Sequence, residues 1–425
     1  MRIDRIKAVN FKGFSDIELD FDGKSTVIFG VNGMGKSSLL AIVNYIMRPL
    51  MYSLNKAQGK AYSSFTPELV KIGNGYILLA ADLLCNGERV LLTRKYEKPS
   101  IRSKAKTIDS KEEYSFLMNE FFLDSVIKPN IPIFVSYGTN RSVLEVPLRI
   151  RQKHQFSQLT AIERAVENTV DFKTFFEWYR NQEDIENEAI RDNGYKVYKD
   201  KSLECVRKAI EAMLGNVTDL KVRRNPLRMT VKKDKTELIV NLLSDGEKCT
   251  LAMFGDLARR IALANPELEE PLKGEGIVLI DEIELHMHPT WQRKVLSVLK
   301  EVFPNIQFII TTHSPQVLGE ADDSYNLYYL KAEDDGERVV EKINRMDGFD
   351  SNYILEEYMD TNSLNANFKK LISEANHLID DFRFYEAEKL INRIAEISGQ
   401  NSERVIEIEG ALKRGRLLYE KNNKG

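Results

Sequence analysis

The sequence predicts an α/β fold built on a largely parallel sheet, and three observations carry that expectation. Short apolar runs of strand length recur at Ser25–Phe29, Ile131–Tyr137, Gly276–Ile280 and Phe308–Ile310. Segments with apolar residues at three- and four-residue spacing alternate with them, notably Leu39, Leu40, Ile42, Val43 and Ile46, then Leu251–Ala264. A glycine-rich loop, Gly30-Val31-Asn32-Gly33-Met34-Gly35-Lys36-Ser37, joins the first of these strands to the first of these helices. Buried strands alternating with amphipathic helices select a parallel sheet, because each helix returns the chain to the end where the next strand starts.

The elements follow in order. Ile3, Ile6 and Val9 sit among charges, and Ile17-Glu18-Leu19-Asp20-Phe21 alternates as a half-buried strand does. Residues 49–74 hold few signals and are read as a connecting or inserted segment. Tyr76–Leu84 and Arg89–Lys95 are strands joined at Asn86-Gly87, a pair that tolerates positive φ and so favours a tight hairpin. Residues 96–112 are polar and basic and are expected to be mobile. From 155 to 214 the pattern is helical, with Phe172, Phe175, Phe176 and Tyr179 on one spacing and Glu183, Asp184, Glu186 and Glu188 behind them. Met229–Val231 and Leu238–Val240 flank a polar turn at Lys233-Asp234-Lys235. Leu251–Ala264 is expected as an amphipathic helix, Gly276–Ile280 as a buried strand, Gln292–Val302 as a helix, and Phe308–Ile310 as a strand leading to Thr311-Thr312-His313-Ser314. Beyond 346 the chain is all-helical, with helices expected at Ile354–Met359, Phe368–Phe382, Tyr385–Ile397 and Ser402–Tyr419. The expected division is an N-terminal lobe (1–150), a helical lobe (151–219), a C-terminal lobe (220–345) and a helical tail (346–425).

Composition narrows the classes. The chain has 425 residues, 43% hydrophobic and 29% charged, enough for one large or two ordinary globular domains. A net charge of −3 gives no whole-chain support for a nucleic-acid binder. Cys85, Cys205 and Cys249 show neither paired nor metal-ligand spacing, which suits a reducing compartment. Met1-Arg2-Ile3-Asp4-Arg5 lacks the apolar core of a signal peptide, and no apolar run reaches membrane-spanning length. A cytoplasmic protein is expected.

Three motifs carry chemistry. The Gly30–Ser37 loop matches the full phosphate-loop pattern: its glycines let successive amides face phosphates at the start of a helix. Asn32, Gly33, Gly35, Lys36, Ser37 and Ser38 are the expected ATP-binding set, with Lys36 on the outer phosphates and the Ser37 hydroxyl on Mg²⁺. Asp281 and Glu282 end a buried strand, where ligands of open sheets bind. Asp281 is expected to hold the Mg²⁺ through water, and Glu282 to act as the general base on the attacking water. His313, at the end of the next buried strand, is placed to contact the γ-phosphate and that water.

Leu243-Ser244-Asp245-Gly246-Glu247 opens a helix, so the Ser244 hydroxyl and the Gly246 amide are candidate anion donors. Ser followed three residues later by Glu is also a capping box, and both readings hold together. Within one subunit this turn is expected to lie too far along the sheet to reach its own γ-phosphate; two subunits packed head to tail place each Ser244 over the partner's nucleotide. His286-Met287-His288-Pro289 lacks a third ligand nearby and is read as a subunit-contact loop, not a metal site. Basic clusters at Lys221–Lys235 and at Arg149, Arg151 and Lys153 are read as solvated faces.

Together these residues resemble the ATP-binding-cassette heads of the RecF-, Rad50- and SMC-like branch, over roughly residues 1–345. Ile6–Phe14, Gly30–Ser37, Leu243–Glu247, Asp281-Glu282 and Thr311–Ser314 stand in that family's order. The resemblance implies a P-loop ATPase head with a mainly parallel sheet, an antiparallel β subdomain, a helical lobe and a helical C-terminal extension. Within the branch, Tyr137–Arg141, Phe175–Trp178 and Leu285–Gln292 are most similar to the ATPase subunits of Septu anti-phage systems, found also with some retrons. That implies assembly with a separate HNH-type nuclease governed by nucleotide state, with any nucleic acid reached through that partner. Asp245 stands where a glycine is common. No clear glutamine follows Ile131–Val135, leaving Asn140 or Gln152 as substitutes. No nuclease constellation is visible. Three functions follow: a slow ATP-dependent regulator of a partner nuclease, a RecF-like ATPase that clamps DNA directly, and a nucleotide-binding scaffold with little turnover.

Overall fold

A computed structural model describes residues 1–54, 65–101, 103–123, 126–141, 156–192, 198–334, 336–359, 366–399 and 402–422. They form two compact units, Met1–Ile354 and Leu355–Gly425.

The first unit opens with β1 (Arg2–Phe11), β2 (Phe14–Asp20) and β3 (Ser25–Phe29), followed by helix α1 (Lys36–Leu54). Then come β4 (Tyr76–Cys85), β5 (Glu88–Glu97), β6 (Lys106–Asp109), α2 (Lys111–Met118), a small hairpin of β7 (Phe122–Leu123) and β8 (Val126–Ile127), and β9 (Ile133–Tyr137). Two long helices, α3 (Phe172–Asp192) and α4 (Lys201–Leu214), precede β10 (Val217–Arg224), β11 (Leu227–Lys233) and β12 (Thr236–Ile239). Helix α5 (Asp245–Ala264), β13 (Gly276–Ile280), α6 (Pro289–Val302), β14 (Ile306–Thr312), the single turn α7 (Pro315–Leu318), β15 (Tyr325–Ala332) and β16 (Arg338–Ile343) complete the core. Helix α8 (Ser351–Tyr358) crosses into the second unit, which continues as α9 (Ala366–Asp380), α10 (Phe384–Ser398) and α11 (Glu403–Asn422).

The functional sheet has the order β16-β15-β3-β14-β13-β9. All neighbours are parallel except β16, which pairs antiparallel with β15 at the edge. Every residue of β9, β13 and β14 is buried, as strands covered on both faces require. A second sheet, β2-β1-β4-β5-β6, is antiparallel, and β4 alternates buried and partly exposed residues along its length. Asn86 and Gly87 both have positive φ (49° and 84°), so the predicted hairpin turn is the one formed. A three-stranded antiparallel sheet, β10-β11-β12, stands before α5. The fold is therefore the mixed α/β architecture the motif order implied.

Several expectations change. The segment read as connecting from residue 49 begins as helix, because α1 runs through Pro49 to Leu54; residues 55–64 lie outside the described set. The stretch expected to be mobile supplies strand β6, with Lys106–Asp109 paired to Arg94–Glu97 on the sheet edge. Strand β10 was hidden because its charges hide the alternation; its inward residues are Val217, Leu220 and Val222. Helix α5 is not amphipathic: almost all of it from Cys249 to Ala264 is buried, with Asp256, Arg259 and Arg260 inside. Those charges are tolerated because they pair along the helix, Arg259 Nη2 and Arg260 Nε donating to Asp256 at 2.6 and 2.7 Å. In the second unit, Ala375, Ile379, Ala387, Ile391, Ile394, Val405, Ile408 and Leu412 form a small core between α9, α10 and α11.

Candidate active site

Strand β3 lies between β15 and β14, so the loop it feeds emerges near the middle of the sheet. Gly30, Gly33 and Gly35 adopt φ of 145°, 82° and 112°, a region that L-residues with a β-carbon avoid. At Gly30 a β-carbon would also stand 2.3 Å from the carbonyl oxygen of Leu330 in β15. The Gly35 carbonyl accepts from the amides of Ser38 (2.8 Å) and Leu39 (3.1 Å), starting α1. Asn32, Gly33 and Ser37 are exposed and Ser38 is half-buried. Lys36 is buried and folded back on its own loop, Nζ donating to the carbonyl oxygens of Gly30 (2.8 Å) and Val31 (3.2 Å). Burial pushes its pKa down, and the nearby carboxylates of Glu282, Glu284 and Asp281 oppose that without cancelling it.

The acidic strand end is pinned from both sides. The Asp281 amide donates to the Tyr137 carbonyl of β9 at 2.8 Å. From β14, Thr311 Oγ1 donates to Asp281 Oδ1 at 2.5 Å and accepts from the Glu282 amide at 2.8 Å. The Glu282 backbone is left-handed, with φ 47°. Two residues on, Glu284 is buried and accepts from Thr312 Oγ1 (2.7 Å) and the His313 amide (2.9 Å), with His313 Nδ1 2.8 Å away. Burial alone would raise the Glu284 carboxyl; His313 and Thr312 outweigh it and hold the carboxyl below its ordinary value. The same contact raises the His313 imidazole. Thus Lys36, Asp281, Glu282 and His313 share one electrostatic neighbourhood.

The Leu243–Glu247 turn makes its own set of bonds. No hydrogen bond or ion pair among the described residues joins Ser244 to Gly30–Ser38. Ser244 caps α5, its Oγ accepting from the Glu247 amide (3.3 Å) and donating to Glu247 Oε2 (2.9 Å), while its own amide donates to Glu247 Oε2 (3.0 Å). Lys233 Nζ, 2.6 Å from Glu247 Oε1, and Lys248 Nζ, 2.8 Å from Asp245 Oδ1, offset both acids of the turn. Gly246 packs its backbone on the loop after Glu282: a β-carbon there would meet the His286 carbonyl.

A family profile described as an AAA ATPase domain matches residues 1–318. The chain belongs to that family. Among curated relatives of this AAA ATPase, the retron Ec83 probable ATPase of Escherichia coli is 29% identical, over 96% of this chain and 86% of its own length. The Septu protein PtuA of Bacillus thuringiensis is 21% identical over 84% of each chain. The SMC head domain of Thermotoga maritima aligns over 81% of this chain and 99% of its own, with 15% identity and a TM-score of 0.45. No helix among the described residues is long and apolar enough to cross a membrane.

Sequence reasoning about this ATPase missed several residues. Glu284, two positions beyond Glu282, gave only the faint signal of a third acid in Asp-Glu-Ile-Glu. Lys12, at the turn between β1 and β2, is lowered by burial and feels the charge of Asp281. The Arg338 guanidinium of β16 fills the space beside Gly13 and Gly35, lying 3.2 Å from where a Gly35 β-carbon would be. Of the two substitutes for the missing glutamine, Gln152 lies outside the described residues and Asn140 is exposed. The residue after it, Arg141, is buried and donates through Nη2 to the Asp281 carbonyl at 2.5 Å and to the Glu282 carbonyl. His288 caps α6, its Nδ1 accepting from the Thr290 amide (3.3 Å). The basic run on β10–β12 is matched by acids: Lys221 and Lys232 on Asp219, Arg223 on Glu237, Arg224 on Glu183. Arg149, Arg151 and Lys153 lie outside the described residues.

Proposed function

We propose that this AAA ATPase is the ATP-binding and ATP-hydrolysing subunit of an anti-phage defence assembly, and that its nucleotide state governs a separate HNH-type nuclease. The observation that carries the ATPase reading is the convergence of Lys36, Asp281, Glu282 and His313 at the ends of β3, β13 and β14. The defence reading is supported by the retron and Septu relatives, which align over most of their own length. The remaining division of labour follows: residues 1–150 and 220–345 carry the ATPase lobes, 151–219 the helical lobe, and 346–425 the oligomer or partner contacts.

In this reading Asn32, Gly33, Gly35, Ser37 and Ser38 wrap the triphosphate with amides and hydroxyls, and Lys36 leaves its loop carbonyls for the outer phosphates. Ser37 and Asp281 are the residues that would hold Mg²⁺, and the ion would supply positive charge against the triphosphate. Glu282 takes the proton of the attacking water, and His313, steadied by Glu284, contacts the γ-phosphate side of that water. Ser244 and Gly246 complete the site of a second subunit in a head-to-tail dimer or higher oligomer.

The test is ATP turnover and ATP binding by the purified protein. Lys36→Ala is expected to lose ATP binding. Glu282→Gln is expected to keep it while kcat falls by about 10²–10⁴-fold, the usual contribution of a general base. Co-expression with an adjacent open reading frame is expected to yield a complex whose cleavage activity changes with ATP. Salt-sensitive DNA binding by the ATPase alone, without a nuclease, would favour the direct clamp instead.

A further inference from the structure

We propose that Arg141 is the positioning residue of the hydrolytic centre, holding the backbone of Asp281 and Glu282 so that the Glu282 carboxylate faces the nucleophilic water. This rests on the reading of Glu282 as the general base. Arg141 follows β9, the strand beside β13, and is 3% exposed. Among the described residues its hydrogen bonds go to main-chain oxygens and a sulfur, not to a carboxylate. Nη2 donates to the Asp281 carbonyl (2.5 Å) and to that of Glu282, and Nη1 contacts Met253 Sδ at 3.4 Å. Nε is buried and has no partner among the described residues.

Two successive carbonyls converge on one nitrogen only where the chain turns sharply, and Glu282 is at φ 47°. A left-handed backbone costs a non-glycine residue about 1–2 kcal/mol, so something must over-determine it. Thr311 Oγ1 holds the Glu282 amide and Arg141 holds the Glu282 carbonyl, so the peptide planes on both sides of the Glu282 Cα are fixed. With the carbonyls turned toward the guanidinium, the direction of the side chain is fixed by the same bonds. Arg141 is itself gripped from α5: its carbonyl accepts from Cys249 Sγ at 3.3 Å. The helix that begins at Ser244 thus touches Glu282 through one side chain. A lysine keeps the charge and a multiple donor, but lacks the planar group whose Nη1, on Met253 Sδ, sets the direction in which the Nη2 donors point.

The experiment compares Arg141→Met, Arg141→Lys, Glu282→Gln and the Arg141→Met/Glu282→Gln pair in the full-length protein. Readouts are ATP affinity by calorimetry, kcat and KM for ATP, and thermal unfolding. Misplacing a reacting group by about 1 Å costs roughly 10²-fold. The expected result is a kcat reduced by about that factor in Arg141→Met and by at least about tenfold in Arg141→Lys, with ATP affinity and KM unchanged. The double variant is expected to be no slower than Glu282→Gln. Parental kcat in Arg141→Met, or a fall in kcat matched by an equal loss of ATP affinity, would overturn the proposal. Should Arg141→Met fail to fold, Arg141→Lys decides by the same split. Parental turnover in Glu282→Gln would instead overturn the base assignment, whatever Arg141 does.

Discussion

The carbonyl oxygen of His286 lies 2.1 Å from where a β-carbon on Gly246 would stand. The first turn of α5 therefore presses backbone to backbone against the loop that follows Glu282. His286 is itself left-handed, with φ 65°. A shift of the first turn of α5 therefore moves this loop with it.

Gly246→Ala is expected to push the helix and the loop apart. Overpacking of this kind costs about 1–3 kcal/mol, which for a unit this large lowers Tm by about 2–4 °C per kcal/mol. Thermal unfolding of the variant checks it, and an unchanged Tm would mean the loop yields freely.

Asp256 is buried beneath Tyr137, whose hydroxyl donates to it at 2.9 Å, and between Arg259 and Arg260. Burial alone would raise this carboxyl, but the two guanidinium groups overcome it and hold it at about 2. Because the folded value lies below the ordinary 3.8, the stabilisation is present above that value and is lost as pH falls through about 2. Asp256→Asn leaves two buried guanidinium groups without their anion and is expected to cost about 3–5 kcal/mol. Urea unfolding of the two proteins at neutral pH measures the difference.

Ser244→Arg places a long cation where the proposed second subunit's triphosphate would sit. ATP binding to the monomer is expected to stay within about twofold, because Ser244 makes no bond to the phosphate loop of its own chain; surface changes away from such bonds are worth about 0.5 kcal/mol. ATP-driven association is expected to vanish in light scattering. Collapse of monomer binding would show that the turn serves its own site.

His313 carries a pH signature. Its pKa is raised above 6.5, chiefly by the Glu284 carboxylate 2.8 Å from its Nδ1. The linked stability is therefore fully present below about 6.5 and is lost as pH rises through the raised folded value. A plot of Tm against pH is expected to fall more steeply above about 6.5 in the parent protein than in His313→Gln. Parallel curves would mean that the contact with Glu284 does not bias protonation.

Much of the sheet was legible because its signals are local. Ser25–Phe29, Gly276–Ile280 and Phe308–Ile310 are short runs dominated by apolar and β-branched residues, which is how strands covered on both faces read. The Asn86-Gly87 turn was legible because few other pairs accept two positive φ values. Strand β10 and the all-round burial of α5 were not, because charges that neutralise each other in space look exposed in a linear pattern. Asp256, Arg259 and Arg260 read as a polar helix face until their partners are seen.

The phosphate loop, the acidic strand end and the capping turn are determined by sequence alone, since each is a contiguous string whose backbone needs its own residue types. What only the tertiary structure decided is how they are held. Glu284 under His313, Arg141 across the Asp281 and Glu282 carbonyls, and His286 against Gly246 join residues separated by 29, 140 and 141, or 40 positions. No periodicity encodes such pairs, because side-chain spacing reports which face a residue takes and not what lies across from it. The Ser244 turn shows both halves: its string sets the cap, and packing on the His286 loop ties that cap to Glu282.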